Sequence, residues 1–272
     1  MKIINVGKEN STFQEIQALK NNRLKRSKKQ QFFVEGVQNI KNAIDNNWQI
    51  DCFIISDYAK LSNWAKGTIN SLNIKCYQFS PELMAKISDK EDVSEIVAIV
   101  NIKKQEFDLN GLKNNPLFVL LDRPAKKGNF GTIIRSCDAF DVDQLLYMGH
   151  GVDIYDPKVV TASMGSFFRV PFKFLESGQE FESYIKLLKE KFSSLQVVAT
   201  SLQGSTNISR VDFNKPTLLL IGNETDGLSR FLNEHSDLLA KIDMREGIDS
   251  LNVACATSIF LYEIDRQRNI IN

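Results

Sequence analysis

Glu224 has chemically suggestive surroundings. The stretch TLLLIGNETDGL, Thr217 to Leu228, runs four apolar residues into Gly222, sets a carboxylate two places on and closes with Gly227. Such a run reads as a buried parallel strand that stops at a tight turn. The carboxyl end of a strand is where open α/β sheets hold ligands, and glycine lets the backbone press against one. A second segment, GNFGTIIR (Gly128 to Arg135), puts an arginine in the first turns of a helix that Asn129 can cap, just after Lys126 and Lys127. Guanidinium, free N–H groups and two ammonium groups together make an anion site. A third, IDSLNVACA (Ile248 to Ala256), places Ser250 and Asn252 where a turn becomes a helix, which is more polarity than one cap requires. Serine, asparagine and glutamate at neighbouring strand ends can hold a neutral polar ligand without a metal. Each segment has a plain alternative: a strand-end turn, a capped helix with one surface arginine beside Asp138, a helix cap. No GK[ST] ends the glycine segment and GxGxxG is absent, so this is not a Walker loop. The three segments are expected to meet in one site.

The elements behind them are those of an α/β protein. LFVLLD (117–122), DQLLYMG (143–149), FFRVPF (167–172), LQVVATS (195–201), TLLLIG (217–222) and AKIDM (240–244) read as strands. Helices fall between them at 129–140, PKVVTASMG and 179–192, with a long closing helix from about Asp249 to Arg268. Strand and helix in alternation imply a mostly parallel sheet covered on both faces. Ahead of this lies a smaller alternation: FFV, VQNIKNAIDNN, IDCFIIS, a helix around Leu61 to Leu72, IKCYQF, PELMAKIS and EIVAIV. The polar connector NIKKQEFDLNGLKNNP separates the two, and the boundary is placed near residue 106. That makes residues 1–105 a small α/β domain and residues 106–272 a larger one.

At the front of the small domain, residues 12–30 read as a helix, with Thr12 as N-cap and Glu15 three places on, that runs into Lys25, Arg26, Lys28 and Lys29. Residues 1–30 carry 8 basic and 2 acidic side chains, and residues 1–105 carry 16 against 11. This cluster suits contact with a nucleic-acid backbone and equally suits a solvated linker. Cys52, Cys76, Cys137 and Cys255 are scattered, and His150 and His235 are the two histidines, so neither a zinc site nor a disulfide framework is expected. No metal is expected in the site. No run approaches the roughly 20 apolar residues of a membrane span, and the N-terminus lacks the apolar core of a signal peptide. A reduced, cytoplasmic protein is the expectation.

The three segments, in their order and strand context, resemble the three motifs of the SpoU (TrmH-like) branch of the SPOUT methyltransferases, which are S-adenosylmethionine-dependent RNA ribose 2′-O-methyltransferases. The first motif matches at Asn129, Gly131 and Arg135 and continues through Ser163, Met164 and Gly165. The second matches at Gly222, Glu224, Gly227 and Leu228, and the third at Met244, Ser250, Leu251, Asn252, Val253 and Ala256. Residues 12–100 more loosely resemble the small substrate-binding domain that precedes many of these enzymes. Lys126 and Lys127 replace the family's acidic-proline pair, Asp141 and Ala254 stand where glycine and serine are usual, and Ser94-Glu95 replaces Gln-Gly. These departures bear on substrate more than on chemistry.

The resemblance implies a SPOUT-type parallel sheet with a deep C-terminal trefoil knot, an exception to the rule against threading. It implies S-adenosylmethionine as cofactor, in a pocket lined by Gly222, Ile242, Met244 and Leu251 and bordered by Thr200, Ser201 and Leu202. It also implies a homodimer. Arg135 would act on the target hydroxyl, and Asn129, Glu224, Ser250 and Asn252 would fix Arg135, the ribose and the loops. An ordinary arginine is a poor base, so an orienting, charge-stabilising role fits it better, with phosphate or water taking the proton. Lys25, Arg26, Lys28, Lys29, Lys126 and Lys127 are the candidate RNA contacts. Ribosomal RNA is the expected substrate; the alternatives are transfer RNA, a noncatalytic RNA binder with the same fold, and methylation of a base.

Overall fold

The computed structural model describes residues 3–103, 107–202, 206–247 and 250–269. The chain divides into two compact units, residues 1–104 with 153–169, and residues 105–152 with 170–272. Lys104 to Glu106, where the sequence places its boundary, lie outside the described residues. The division into 1–105 and 106–272 remains a proposal about folding modules, to which the contacts add the segment 153–169.

The first unit is built on strands β1 (Ile3–Val6), β2 (Gln31–Glu35), β3 (Ile50–Ile55), β4 (Lys75–Phe79) and β5 (Ile96–Asn101), in the order β1-β4-β3-β5-β2. β1, β4 and β3 run parallel, while β5 runs antiparallel to both β3 and β2. Helices α1 (Ser11–Asn21), α2 (Arg23–Lys29), α3 (Val37–Asp45), α4 (Asn63–Leu72) and α5 (Pro81–Ile87) accompany the sheet. Phe13, Ile16 and Leu19 of α1 share one face and are buried with Phe33, Ile54, Phe79 and Met84 in the core. Residues 12–30 are not one helix. Asn10, not Thr12, caps α1, accepting from the Phe13 N–H, and Asn22 breaks the run and caps α2 in turn.

The second unit begins with β6 (Leu117–Asp122), α6 (Lys127–Ala139) and β7 (Gln144–Met148). The segment that contains α7 (Pro157–Ala162) belongs to the first unit, and β8 (Phe172–Leu175) resumes the second. There follow α8 (Gly178–Lys191), β9 (Gln196–Thr200), β10 (Thr206–Asn207), β11 (Thr217–Ile221), α9 (Arg230–Glu234), β12 (Leu238–Lys241) and α10 (Val253–Asn269). The seven strands are all parallel, ordered β10-β12-β9-β11-β6-β7-β8. From β6 the chain steps to β7 and β8 on one side and later returns with β11 on the other. The carboxyl ends of β6 and β11 therefore flank a topological switch point, where crevices form.

FFRVPF is not a strand from its first residue. Met164 and Gly165 take left-handed backbone angles (φ 52° and 95°), and a short 3-10 turn follows at Ser166–Phe168. Phe167 and Phe168 join the buried Phe32 and Trp48 and the half-buried Tyr155 in an aromatic group of the first unit, and the strand starts only at Phe172. A Cβ on Gly165 would lie 2.5 Å from the Asn42 amide nitrogen, so glycine is needed there for space as well as for φ. The last strand ends at Lys241, earlier than AKIDM implies. The closing helix begins at Val253; Asp249, its expected start, lies outside the described residues.

Candidate active site

At the carboxyl ends of β9, β11 and β12 the second unit encloses a cavity of about 650 Å³. Thr200, Ser201 and Leu202 border it after β9, Gly222 and Glu224 after β11, and Ile242 and Met244 after β12. Ser250, Leu251 and Asn252 close it before α10, and Lys126 and Asn129 line it from the start of α6.

The turn after β11 is held by paired backbone hydrogen bonds, Asn223 N–H to Gly227 O at 2.9 Å and Gly227 N–H to Asn223 O at 3.1 Å. Gly227 is left-handed, φ 66°. Gly222 is required for a different reason: a Cβ there would sit 2.4 Å from the Gly227 carbonyl carbon and 2.5 Å from the Leu228 nitrogen. Those are backbone atoms of the same tight turn and cannot swing aside.

A chain of polar side chains ties three distant segments together at the cavity. Asn129 Nδ2 donates to Glu224 Oε1 at 2.9 Å, and Asn252 Nδ2 donates to Asn129 Oδ1 at 3.1 Å. Asn252 Oδ1 then accepts from the Ala254 N–H at 2.9 Å at the start of α10. Asn129 is not the N-cap of α6. The helix starts two residues earlier, after Lys126, which supplies no side-chain cap. The Glu224 carboxylate fills that need, accepting from the Ala125 and Lys126 N–H groups at 3.3 Å each. The anion at this helix start is thus the protein's own, favoured by the helix dipole.

Sequence reasoning misses a second set of contacts. Arg123, left-handed at φ 48°, pairs with the buried Asp122 through Nε and Nη2 at 3.1 Å each, and its Nη2 donates to Gly227 O at 3.3 Å. Asp122 also accepts from the Ser229 N–H at 2.7 Å, and Asn223 Nδ2 donates to Arg123 O at 2.6 Å. The Arg123 stem crosses Gly149, whose Cβ would fall 2.6 Å from Arg123 Cγ. A charged pair straddling a strand end, in LDRP, is the signal that could have found it.

Arg135 is brought together with none of these. It is exposed on α6 and does not line the cavity. Six residues beyond Asn129, it stands about 120° around the helix from it. Lys127 is exposed beside Lys126. The basic stretch in the first unit is not one surface patch either. Arg26 is only 3% exposed; its Nε and Nη2 reach Asp153 at 2.7 Å and its Nη1 donates to the Leu19 and Lys20 carbonyls. Lys29 pairs with Glu15 at 2.5 Å, a hydrogen bond that holds that carboxyl below its ordinary range. Lys25 and Lys28 form no ion pair among the described residues.

The SpoU rRNA Methylase family profile matches residues 116–262, and the SpoU L30e-like domain profile matches residues 10–98. The chain is 35% identical over 260 residues to a 23S rRNA (uridine(2479)-2′-O)-methyltransferase of Streptomyces viridochromogenes, covering 95% of this chain and 91% of that one. The crystal structure of the SpoU methyltransferase AviRb from the same organism, in complex with the cofactor AdoMet, superposes with a TM-score of 0.89 at 36% identity, covering 96% of this chain and 98% of that one. A tRNA (guanosine(18)-2′-O)-methyltransferase of Aquifex aeolicus is 36% identical over 158 residues, 57% of this chain and 72% of that protein.

Proposed function

The chain belongs to the SpoU rRNA methylase family, and on that premise we propose that it is an S-adenosylmethionine-dependent enzyme methylating a ribose 2′-hydroxyl of ribosomal RNA. The observation that carries the reading is the Glu224–Asn129–Asn252 chain at the mouth of the cavity. The cavity fits the cofactor. Its volume lies in the range of small-molecule sites, Gly222 lets the 223–227 turn close tightly along its edge, and Ile242, Met244 and Leu251 give apolar walls beside Thr200. Bound there, S-adenosylmethionine supplies the methyl group.

The residues then have positioning to do. Alignment of hydroxyl and methyl carbon can supply about 7–11 kcal/mol of the barrier. Asn129, Glu224, Ser250 and Asn252 fix the loops that frame the reacting atoms. A guanidinium beside the ribose oxygen stabilises charge as the proton leaves to phosphate or water. Arg135 is the group for that role, although it stands off its own chain's cavity. A homodimer resolves the difficulty. On α10, Cys255, Ile259 and Tyr262 leave one exposed, largely apolar stripe, and α6 packs beside it through the Ser136–Ser258 hydroxyl contact at 2.8 Å. Gly128, Thr132, Arg135 and Ala139 make the exposed face of α6. Two-fold pairing through these helices lets Arg135 of one subunit serve the cavity of the other. The trefoil knot belongs to the same reading, supported by α10 returning from β12 to pack on α6. Lys126 and Lys127 are the proposed RNA contacts near the cavity. Among the described residues no helix is long and apolar enough to cross a membrane; the cytoplasm is the proposed compartment.

Mapping 2′-O-methyl groups in ribosomal and transfer RNA, with and without the protein, tests the substrate: a new block in transfer RNA alone would overturn the ribosomal assignment. Mixing Arg135→Ala with Gly222→Ala subunits tests the shared site. Random reassociation leaves one intact site in about half the dimers, so about a quarter of wild-type activity returns. A mixture as inactive as its parents would place Arg135 outside the partner's site.

A further inference from the structure

A second cavity, of about 520 Å³, opens in the first unit at the carboxyl ends of β1, β4 and β3. Val6, Phe79 and Met84 lie buried beneath it, and the exposed Pro81 and Val93 give it apolar walls. Its rim is polar in a particular way. Asn5 and Gln78 are register partners on adjacent parallel strands, so their amides stand side by side on one face of the sheet. Gln78 Oε1 accepts from the Tyr58 N–H at 3.3 Å, which fixes the amide and leaves its NH₂ group to donate elsewhere. The Asn5 side chain has no hydrogen-bond partner among the described residues. Asp57 lines the same cavity, Oδ1 accepting from the Ala59 N–H at 3.0 Å and Oδ2 paired at 3.8 Å with the exposed Lys60 ammonium, a surface pair that a ligand can exchange.

We propose that this cavity takes one unstacked nucleobase from a single-stranded stretch of RNA. A flat heterocycle has two apolar faces, which Pro81 and Val93 can cover, and a donor–acceptor edge for the rim. Paired amides read such an edge, and a carboxylate accepts from an exocyclic amino group. Adenine and cytosine are therefore favoured over uracil, which has no amino group. Lys60 lies at the rim, where the sugar–phosphate chain leaves. Duplex RNA is excluded, because a paired base presents neither face.

The inference rests on the RNA-directed reading above, yet its test is separate from methyl transfer. Gly7 lines the cavity, has no positive φ, and a Cβ there meets nothing within 4 Å. Gly7→Leu therefore fills the space without straining the fold. Binding of short oligo(A), oligo(C) and oligo(U) to the full-length chain, without cofactor, is the measurement. Wild type should prefer oligo(A) or oligo(C), and Gly7→Leu and Gln78→Ala should each weaken that binding about tenfold, with S-adenosylmethionine affinity and a duplex control unchanged. Unchanged oligonucleotide affinity in Gly7→Leu, or equal loss for the duplex, overturns the base site. If wild type binds oligonucleotides as described but methylates no RNA, the enzymatic reading fails and the base site stands.

Discussion

Both cavities sit where parallel strands end, yet they are walled in opposite ways. Around the cavity of the second unit, loops are locked to one another by Glu224, Asn129, Asn252, Asp122 and Arg123. Gly222 there has no room for a single methyl group. Around the cavity of the first unit, the Asn5 side chain is unpartnered among the described residues, Gln78 is bonded at one end, and Gly7 faces open space. A site that aligns reacting atoms needs loops fixed in advance. A site that reads one base in a flexible strand can leave its polar groups for the ligand to complete.

The sharpest test of that contrast puts the same methyl group at each glycine. Gly222→Ala forces backbone apart within the turn and should weaken S-adenosylmethionine binding by at least about a hundredfold in calorimetry. Gly7→Ala should leave both cofactor and RNA affinity as they were. Comparable losses in the two variants would erase the difference between a preformed and an open cavity.

A smaller effect should come from the Arg123 clamp, which touches the turn and does not line the cavity. Arg123→Ala frees the 223–227 turn and should raise the cofactor Kd about tenfold, with kcat at saturating cofactor changed little. Gly149→Ala displaces the Arg123 stem and also strains a left-handed backbone (φ 79°), so it should produce much of the same cofactor defect together with a lower melting temperature. On cofactor affinity, where both act through the Arg123 clamp, the double variant should be no worse than Arg123→Ala alone. Additive losses would show that Gly149 matters for another reason.

The strands around the second cavity are legible because buried parallel strands leave unbroken apolar runs; LFVLLD and TLLLI occupy β6 and β11 as the pattern implies. β1 escapes a pattern reading, since IINV is short and carries the polar Asn5 on an edge strand. FFRVPF misleads because aromatic residues have strand propensity, whereas Phe167 and Phe168 answer to a distant partner, Trp48. Polar residues at strand ends are legible as types but not as partners. Nothing local says that Asn129 bonds Glu224 rather than capping its own helix, or that Glu224 holds the helix start. Arg135 shows the limit most clearly: its motif and its side of α6 can be read from spacing, but nothing in the sequence says which surface that side faces.

The smallest predicted effect concerns the basic stretch, and it separates base reading from backbone contact. Four basic residues look alike in sequence, but Arg26 is enclosed with Asp153 and Lys29 is paired with Glu15, which leaves Lys25 and Lys28 as the candidate phosphate ligands. Removing one lysine–phosphate pair should lower the slope of log affinity against log salt by about 0.7 for single-stranded RNA. Lys28→Ala should therefore weaken oligonucleotide binding only a few-fold at moderate salt, and equally for oligo(A), oligo(C) and oligo(U). Gln78→Ala should do the reverse, with the salt slope kept and the preference among bases lost. If Lys28→Ala instead changes the order of preference, or leaves the slope untouched, α2 is not a backbone-binding helix and its charges are solvated surface.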